Sequence, residues 1–319
     1  MNDIAQVAQA NIDFIRGQIL ELKNNGFVMA DVARETNIKE SRLSQFLAGT
    51  YAGKNQPIAD ALAAWLDNRT VERESLPDMP EFVLTPTIQD IWSAFQYAQL
   101  TRSIAVIQGN PGLSKTTAKE EFARTRPNVW TFKVSRSCAR VTGCLYEIAL
   151  ASGIKEPKAY RPDVLFRQVR DHLTGKKGLL IIDEADGLGY DALEELRILQ
   201  EDAGIGLVLI GNHRVYERLT GNHSRDVDFA RLFSRIAKRV VIETATTADV
   251  DAVADAWHLP DDVRPVIQWI GRQAGALRMV FFVLRLAMTQ AMARRVPLTR
   301  AHVLAALKEL GCEYKEKKA

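Results

Sequence analysis

Between residues 82 and 246 the apolar positions gather into short runs separated by stretches of helical spacing. Runs at 104–108, 129–134, 179–182 and 207–210 have the length of strands, and 239–242 is a candidate fifth. Runs that stay apolar at almost every position suit strands covered on both faces, since a strand with one wet face alternates. Between them, 116–124 and 192–201 place apolar residues on one side of a helix. Strands alternating with helices predict an α/β fold, a parallel sheet flanked by helices.

The flanking segments carry a different pattern. Residues 1–68 read as short helices. Residues 69–81, beginning Arg69-Thr-Val-Glu-Arg-Glu-Ser-Leu-Pro77, are charged and proline-bearing and read as a linker. Residues 82–246 form the α/β core, and 247–319 a helical domain broken at Gly271, Gly275 and Pro297. Within the first segment, Val32 and Ala33 pack one helix. Asn37 suits a left-handed turn, and Ile38, Leu43 and Leu47 give a second helix its apolar side. That is a helix-turn-helix pattern, with Lys39, Arg42, Ser44 and Gln45 on the outward face as candidate major-groove residues. Few of them can read a base edge with two hydrogen bonds, so contact dominated by phosphates and sensitive to salt is expected.

Composition narrows the class. With 319 residues, 47% hydrophobic and 25% charged, the chain supports two or three compact units with real cores. Its net charge is only +3, yet from Arg278 onward nine Lys or Arg stand against three Glu. Cys138, Cys144 and Cys312 lack zinc-ligand spacing and fit a reducing cytoplasm. The first residues lack the apolar core of a signal peptide, and no apolar run approaches the roughly 18 residues of a membrane span. A soluble, cytoplasmic protein is expected.

The chemistry sits at strand ends. The run at 104–108 leads into Gly109-Asn110-Pro111-Gly112-Leu113-Ser114-Lys115-Thr116-Thr117, followed by a helix. A glycine-bearing loop at a helix N-terminus turns backbone N–H groups toward phosphate, which makes this a Walker A loop for ATP. Lys115 would meet the β and γ phosphates and the Thr116 hydroxyl would ligate Mg²⁺. Ser114 stands where glycine is usual, which raises the expectation of weakened nucleotide binding or turnover. Some 67 residues on, Leu179-Leu-Ile-Ile-Asp183-Glu184 ends a strand in two acids: Asp183 suits the Mg²⁺ shell and Glu184 suits activating water. Asp186 reads more readily as a helix cap.

Asn212, at the end of the following strand, is a candidate sensor of the γ phosphate. Arg235, with Arg231 second, is a candidate arginine acting on a neighbouring subunit's ATP. Arg278, in Gly275-Ala-Leu-Arg278, is a candidate lid arginine. Arg136 and Arg140, after the second strand, are candidate DNA-facing cations, with simple solvation an equal alternative.

Taken together, these segments resemble the Mu B (TnsC-type) family of transposition target-selection ATPases, over nearly the entire chain. The resemblance is carried by the Gly109-Asn-Pro-Gly and Ile181-Ile-Asp-Glu-Ala-Asp186 runs and by Leu193-Glu-Glu-Leu-Arg197. Gly211-Asn-His-Arg-Val-Tyr216, Phe229-Ala-Arg-Leu-Phe-Ser-Arg-Ile-Ala-Lys-Arg239 and Gly275-Ala-Leu-Arg278 complete it. It implies a AAA+ core with a helical lid, and ATP-dependent filaments on double-stranded DNA with little sequence choice. It also implies recruitment of a transposase and a part in target immunity. A helicase loader or replication initiator, a non-hydrolysing ATP-gated DNA switch and a repressor with an ATPase appendage are the alternatives.

Overall fold

A computed structural model describes residues 2–75, 80, 82–158, 161–213, 235–273 and 275–314. The chain divides into two compact units, Met1–Asp78 and Met79–Ala319.

The first unit contains helices α1 (Asn2–Asn24), α2 (Met29–Glu35), α3 (Glu40–Leu47) and α4 (Gln56–Ser75). Ile15, Ile19, Val32, Leu43, Phe46 and Leu62 form its core. Asn37 takes a left-handed backbone (φ 55°) in the turn between α2 and α3, as its short polar side chain allows. Two sequence expectations are corrected here. The opening segment is one helix of 23 residues rather than short pieces. Helix α4 runs on to Ser75, so residues 69–75 are helical instead of linker. Their Glu and Arg are good helix formers, and charge without an apolar stripe resembles a linker in sequence.

In the second unit, α5 (Pro86–Thr101) precedes β1 (Ile104–Gly109), α6 (Lys115–Thr125), β2 (Val129–Lys133), α7 (Val141–Ala151) and α8 (Pro162–Leu173). Then come β3 (Leu179–Asp183), α9 (Tyr190–Ala203), β4 (Gly206–Gly211) and β5 (Ile236–Ile242). The sheet order is β2-β3-β4-β1-β5, with every pairing parallel. Successive strand residues supply opposite faces. Ala105, Ile107, Leu179, Ile181, Val208 and Ile210 enter one apolar core with α5 and α6. Ile104, Val106, Leu180, Ile182, Leu207 and Leu209 enter the other with α7, α8 and α9. Strand β5 begins at Ile236, three residues earlier than its apolar run suggests, because an edge strand alternates covered and uncovered residues.

Helices α10 (Thr247–Ala256), α11 (Arg264–Gly271), α12 (Ala276–Ala293) and α13 (Arg300–Glu309) follow. Their apolar residues, among them Val250, Ile267, Val280 and Leu284, share the first core with the sheet. Asp249, fully buried, accepts hydrogen bonds from the Thr87 N–H (2.8 Å) and hydroxyl (2.7 Å) and from the Thr246 N–H and hydroxyl (both 2.8 Å). One carboxylate thereby caps the first turns of α5 and α10. Burial pushes its pKa up, but the Thr87 and Thr246 donors outweigh that and leave it below the usual aspartate range. Helix α12 does reach the length and apolarity of a membrane span, with a mean hydropathy of 1.4 over 18 residues. Its Val280, Val283, Leu284 and Ala287 are buried in the core, while Phe282 is exposed.

Candidate functional site

The parallel topology brings the C-terminal ends of β1, β3 and β4 to one edge, where open α/β sheets bind ligands. There Gly109, Pro111, Gly112, Leu113, Ser114, Lys115, Thr116 and Thr117 line a cleft of about 510 Å³ with Asp183, Glu184, Gly211, Asn212, Arg278, Phe281 and Phe282.

The loop from β1 to α6 is held on two sides. Asn110 donates its N–H to the Ile242 carbonyl (3.2 Å) and its amide to the Glu243 carbonyl (2.8 Å). On the other side the Arg278 N–H donates to the Gly112 carbonyl at 3.3 Å. Gly112 has φ +86°, and a Cβ there would lie 2.1 Å from the Gly275 carbonyl oxygen, so this approach requires glycine. Ser114 also adopts a left-handed backbone, φ 57° and ψ 16°. The conformation normally given to glycine is therefore kept despite the side chain, at a cost of roughly 1–2 kcal/mol.

Lys115 curls back to its own loop, donating to the carbonyls of Gly109 (2.8 Å) and Asn110 (2.7 Å). Burial lowers its pKa, opposed by Asp183 and Glu184 and assisted by Arg278. The Thr116 hydroxyl donates to Asp183 Oδ2 at 2.9 Å. These hard oxygen donors fit Mg²⁺, which is commonly bound by one or two protein groups plus substrate phosphates rather than a protein cage. No cluster of three or more His, Cys, Asp or Glu able to hold a metal occurs among the described residues.

Glu184 follows Asp183 in a left-handed conformation (φ 55°), which overrides the strand alternation and lets both acids line the cleft. Its carboxylate is half exposed and lies 3.7 Å from the Lys133 ammonium at the end of β2. Asn212 is fixed by Asp186, which accepts from its backbone N–H (3.2 Å) and side-chain amide (2.9 Å). Asp186 is thus an orienting group for Asn212, a role the sequence reading passed over. Lys133, Phe281 and Phe282 were also missed. The two phenylalanines follow Arg278 by three and four residues, and that spacing was the available signal.

Arg235 does not enter the cleft. It is exposed and pairs with Glu201 of α9 at 2.9 Å. Arg231 lies outside the described residues. In the first unit, Lys39, Arg42, Ser44 and Gln45 are all exposed, and the Arg42 guanidinium sits 5.9 Å from the Tyr51 ring centre. Arg136 and Arg140 are exposed in the segment between β2 and α7. That segment is anchored by Cys138, whose sulfur accepts the Ser135 N–H at 3.1 Å.

Comparison with known proteins decides the family. The chain is 43% identical over 303 residues to the ATP-dependent target DNA activator B of Escherichia phage Mu, covering 94% of this chain and 96% of that protein. The chain belongs to the Mu B family of transposition proteins. A Mu-like prophage DNA transposition protein B from Haemophilus influenzae is 40% identical, over 81% of this chain and 91% of its own length. Within this Mu B family member, residues 98–219 match a AAA domain and residues 234–310 match the Mu B transposition protein C-terminal domain. The fold is shared with the Aeropyrum pernix ORC1 protein, solved in complex with DNA, at TM-score 0.53 and 22% identity over 74% of this chain and 68% of that one. Cdc6p from Pyrobaculum aerophilum gives TM-score 0.56 at 17% identity, over 73% and 71%.

Proposed function

We propose that this Mu B family member is an ATP-dependent, largely sequence-non-specific DNA-binding ATPase of the bacterial cytoplasm. It assembles as a filament on target duplex DNA and recruits and activates a transposase there. The observation that carries the reading is the single cleft joining the Lys115 loop, the Thr116–Asp183 pair, Glu184, Asn212 and Arg278.

Lys115 leaves its loop carbonyls for the β and γ phosphates, and the loop N–H groups and the start of α6 bind the remaining phosphate charge. Thr116 and Asp183 would hold Mg²⁺, which supplies charge neutralisation on those phosphates. Glu184 accepts the proton of the attacking water, and Asn212, oriented by Asp186, aligns that water. Arg278 joins the lid helix to the γ phosphate, and Arg235, free to exchange Glu201 for a neighbour's phosphate, completes the site in trans. Lys39, Arg42, Gln45, Arg136 and Arg140 contribute contacts to the DNA backbone, multiplied along a filament.

Electron microscopy with duplex DNA and ATP, ADP or no nucleotide tests this directly. Coated DNA with ATP alone is the expected result, and coating independent of nucleotide would remove the ATP gate. One observation favours a second reading, an ATP-gated switch that does not hydrolyse: Ser114 holds a strained conformation within the phosphate-binding loop. Phosphate release stimulated by duplex DNA excludes that switch.

A further inference from the structure

Lys119 is a cation buried behind the cleft, and no motif accounts for it. It lies three residues after Thr116 on α6, so both side chains fall on one face of the helix. Thr116 and Lys119 donate to the same oxygen, Asp183 Oδ2, at 2.9 and 3.0 Å. The other oxygen of Asp183 accepts the Glu184 N–H at 3.0 Å. The Lys119 and Asp183 side chains are only 6% and 4% exposed.

Burying such a pair costs the hydration of both charges, and removing one member leaves the other uncompensated in a poorly solvated site. That cost recurs at the carboxylate assigned to the metal, whose charge is already balanced by an ammonium from its own chain. A divalent ion arriving at Thr116 meets both the carboxylate and this nearby positive charge. At short range and low effective dielectric, a fixed unit charge changes ion affinity by orders of magnitude.

We propose that Lys119 is a built-in counter-cation of Asp183. It holds the carboxylate in position when no divalent ion is present, and it restrains the affinity of the site for that ion. Lys119 thereby sets how strongly nucleotide binding depends on Mg²⁺. It is a positioning residue that acts through Asp183. The inference rests on the nucleotide-site reading above and adds a determinant of its metal dependence.

The test uses the full chain and its Lys119→Met variant. A fluorescent ATP analogue is titrated in MgCl₂ and in EDTA, and thermal unfolding is followed in both. In wild type the ratio of the two dissociation constants is modest. In Lys119→Met it rises by roughly tenfold or more, because metal-free binding now brings a triphosphate against an uncompensated carboxylate. The Tm of the nucleotide-free variant falls, and Mg²⁺ with nucleotide restores most of the loss by binding only the folded state.

An unchanged ratio, with the same Tm deficit in both buffers, makes Lys119 a packing residue and overturns the proposal. Should Lys119→Met fail to fold, the double variant Lys119→Met/Asp183→Asn removes both charges together. Recovered folding identifies the unpaired carboxylate as the fault, as proposed, whereas continued failure overturns it. Absence of nucleotide binding by wild type in either buffer defeats the site reading and takes this inference with it. Normal wild-type binding with an unmoved ratio removes Lys119 alone.

Discussion

The two acids that end β3 live in different surroundings. Asp183 is buried, and its oxygens take donors from Thr116, Lys119 and the Glu184 backbone. Glu184, its neighbour in sequence, is half exposed and, among the described residues, forms a loose ion pair with an exposed lysine, Lys133. One wall of the cleft is therefore built before ligand arrives, while the other is held weakly and can be rearranged. On the proposed function, binding needs the first wall and hydrolysis needs the second. The contrast gives a physical reason for a AAA domain to hold nucleotide firmly while turnover awaits a further event.

Substitutions on the two walls should separate these functions. Glu184→Gln is expected to lower phosphate release about 10²–10⁴-fold, the usual worth of a positioned general base, with the dissociation constant for ATP nearly unchanged. A parallel loss of binding, measured by calorimetry, would erase the distinction between the walls. Lys115→Ala, on the binding wall, should weaken ATP about a hundredfold by removing a charge-assisted contact. Retained affinity there would mean that the loop N–H groups suffice.

Ser114→Gly tests whether the binding wall is strained. Relief of the left-handed serine, worth about 1–2 kcal/mol, is offset in part by the entropy of the new glycine in the unfolded chain. A gain in ATP affinity of no more than about tenfold is expected. A large rise in turnover instead would show that serine restrains the hydrolytic wall as well. The smallest effect is expected from Lys133→Ala. An exposed pair contributes about 1 kcal/mol at most, so hydrolysis without DNA should change by a factor of about five or less. A larger change would show that the lysine governs Glu184 beyond its ground-state attraction.

Much of this site is legible in sequence because its parts occur where strands end. The apolar runs at 104–108, 179–182 and 207–210 mark the central strands, and the residues just beyond them supply the loop, the two acids and Asn212. Each is positioned by backbone, which local pattern reveals. The residues that escape notice are positioned by tertiary contact. Lys119 looks like any lysine on a helix surface until β3 is laid against that face, and Lys133 gains meaning only from the parallel register of β2 with β3. Asp186 resembles a cap in sequence because its partner is 26 residues away. The errors in the first unit have the opposite origin. There, charge resembles absence of structure, whereas residues 69–75 extend a helix that begins in an apolar stretch.

The Asp249 cap has a consequence for how this molecule comes into being. It ties the first turn of α5 to the first turn of α10 across 162 residues, and the helices beyond it complete the covering of one sheet face. Contacts of such long range form late, since much chain entropy is lost before they repay it. A ribosome must therefore deliver nearly the whole polypeptide before that face is shielded from water. Until then the nascent sheet offers a sticky apolar surface, and a fragment ending before α10 keeps that liability permanently.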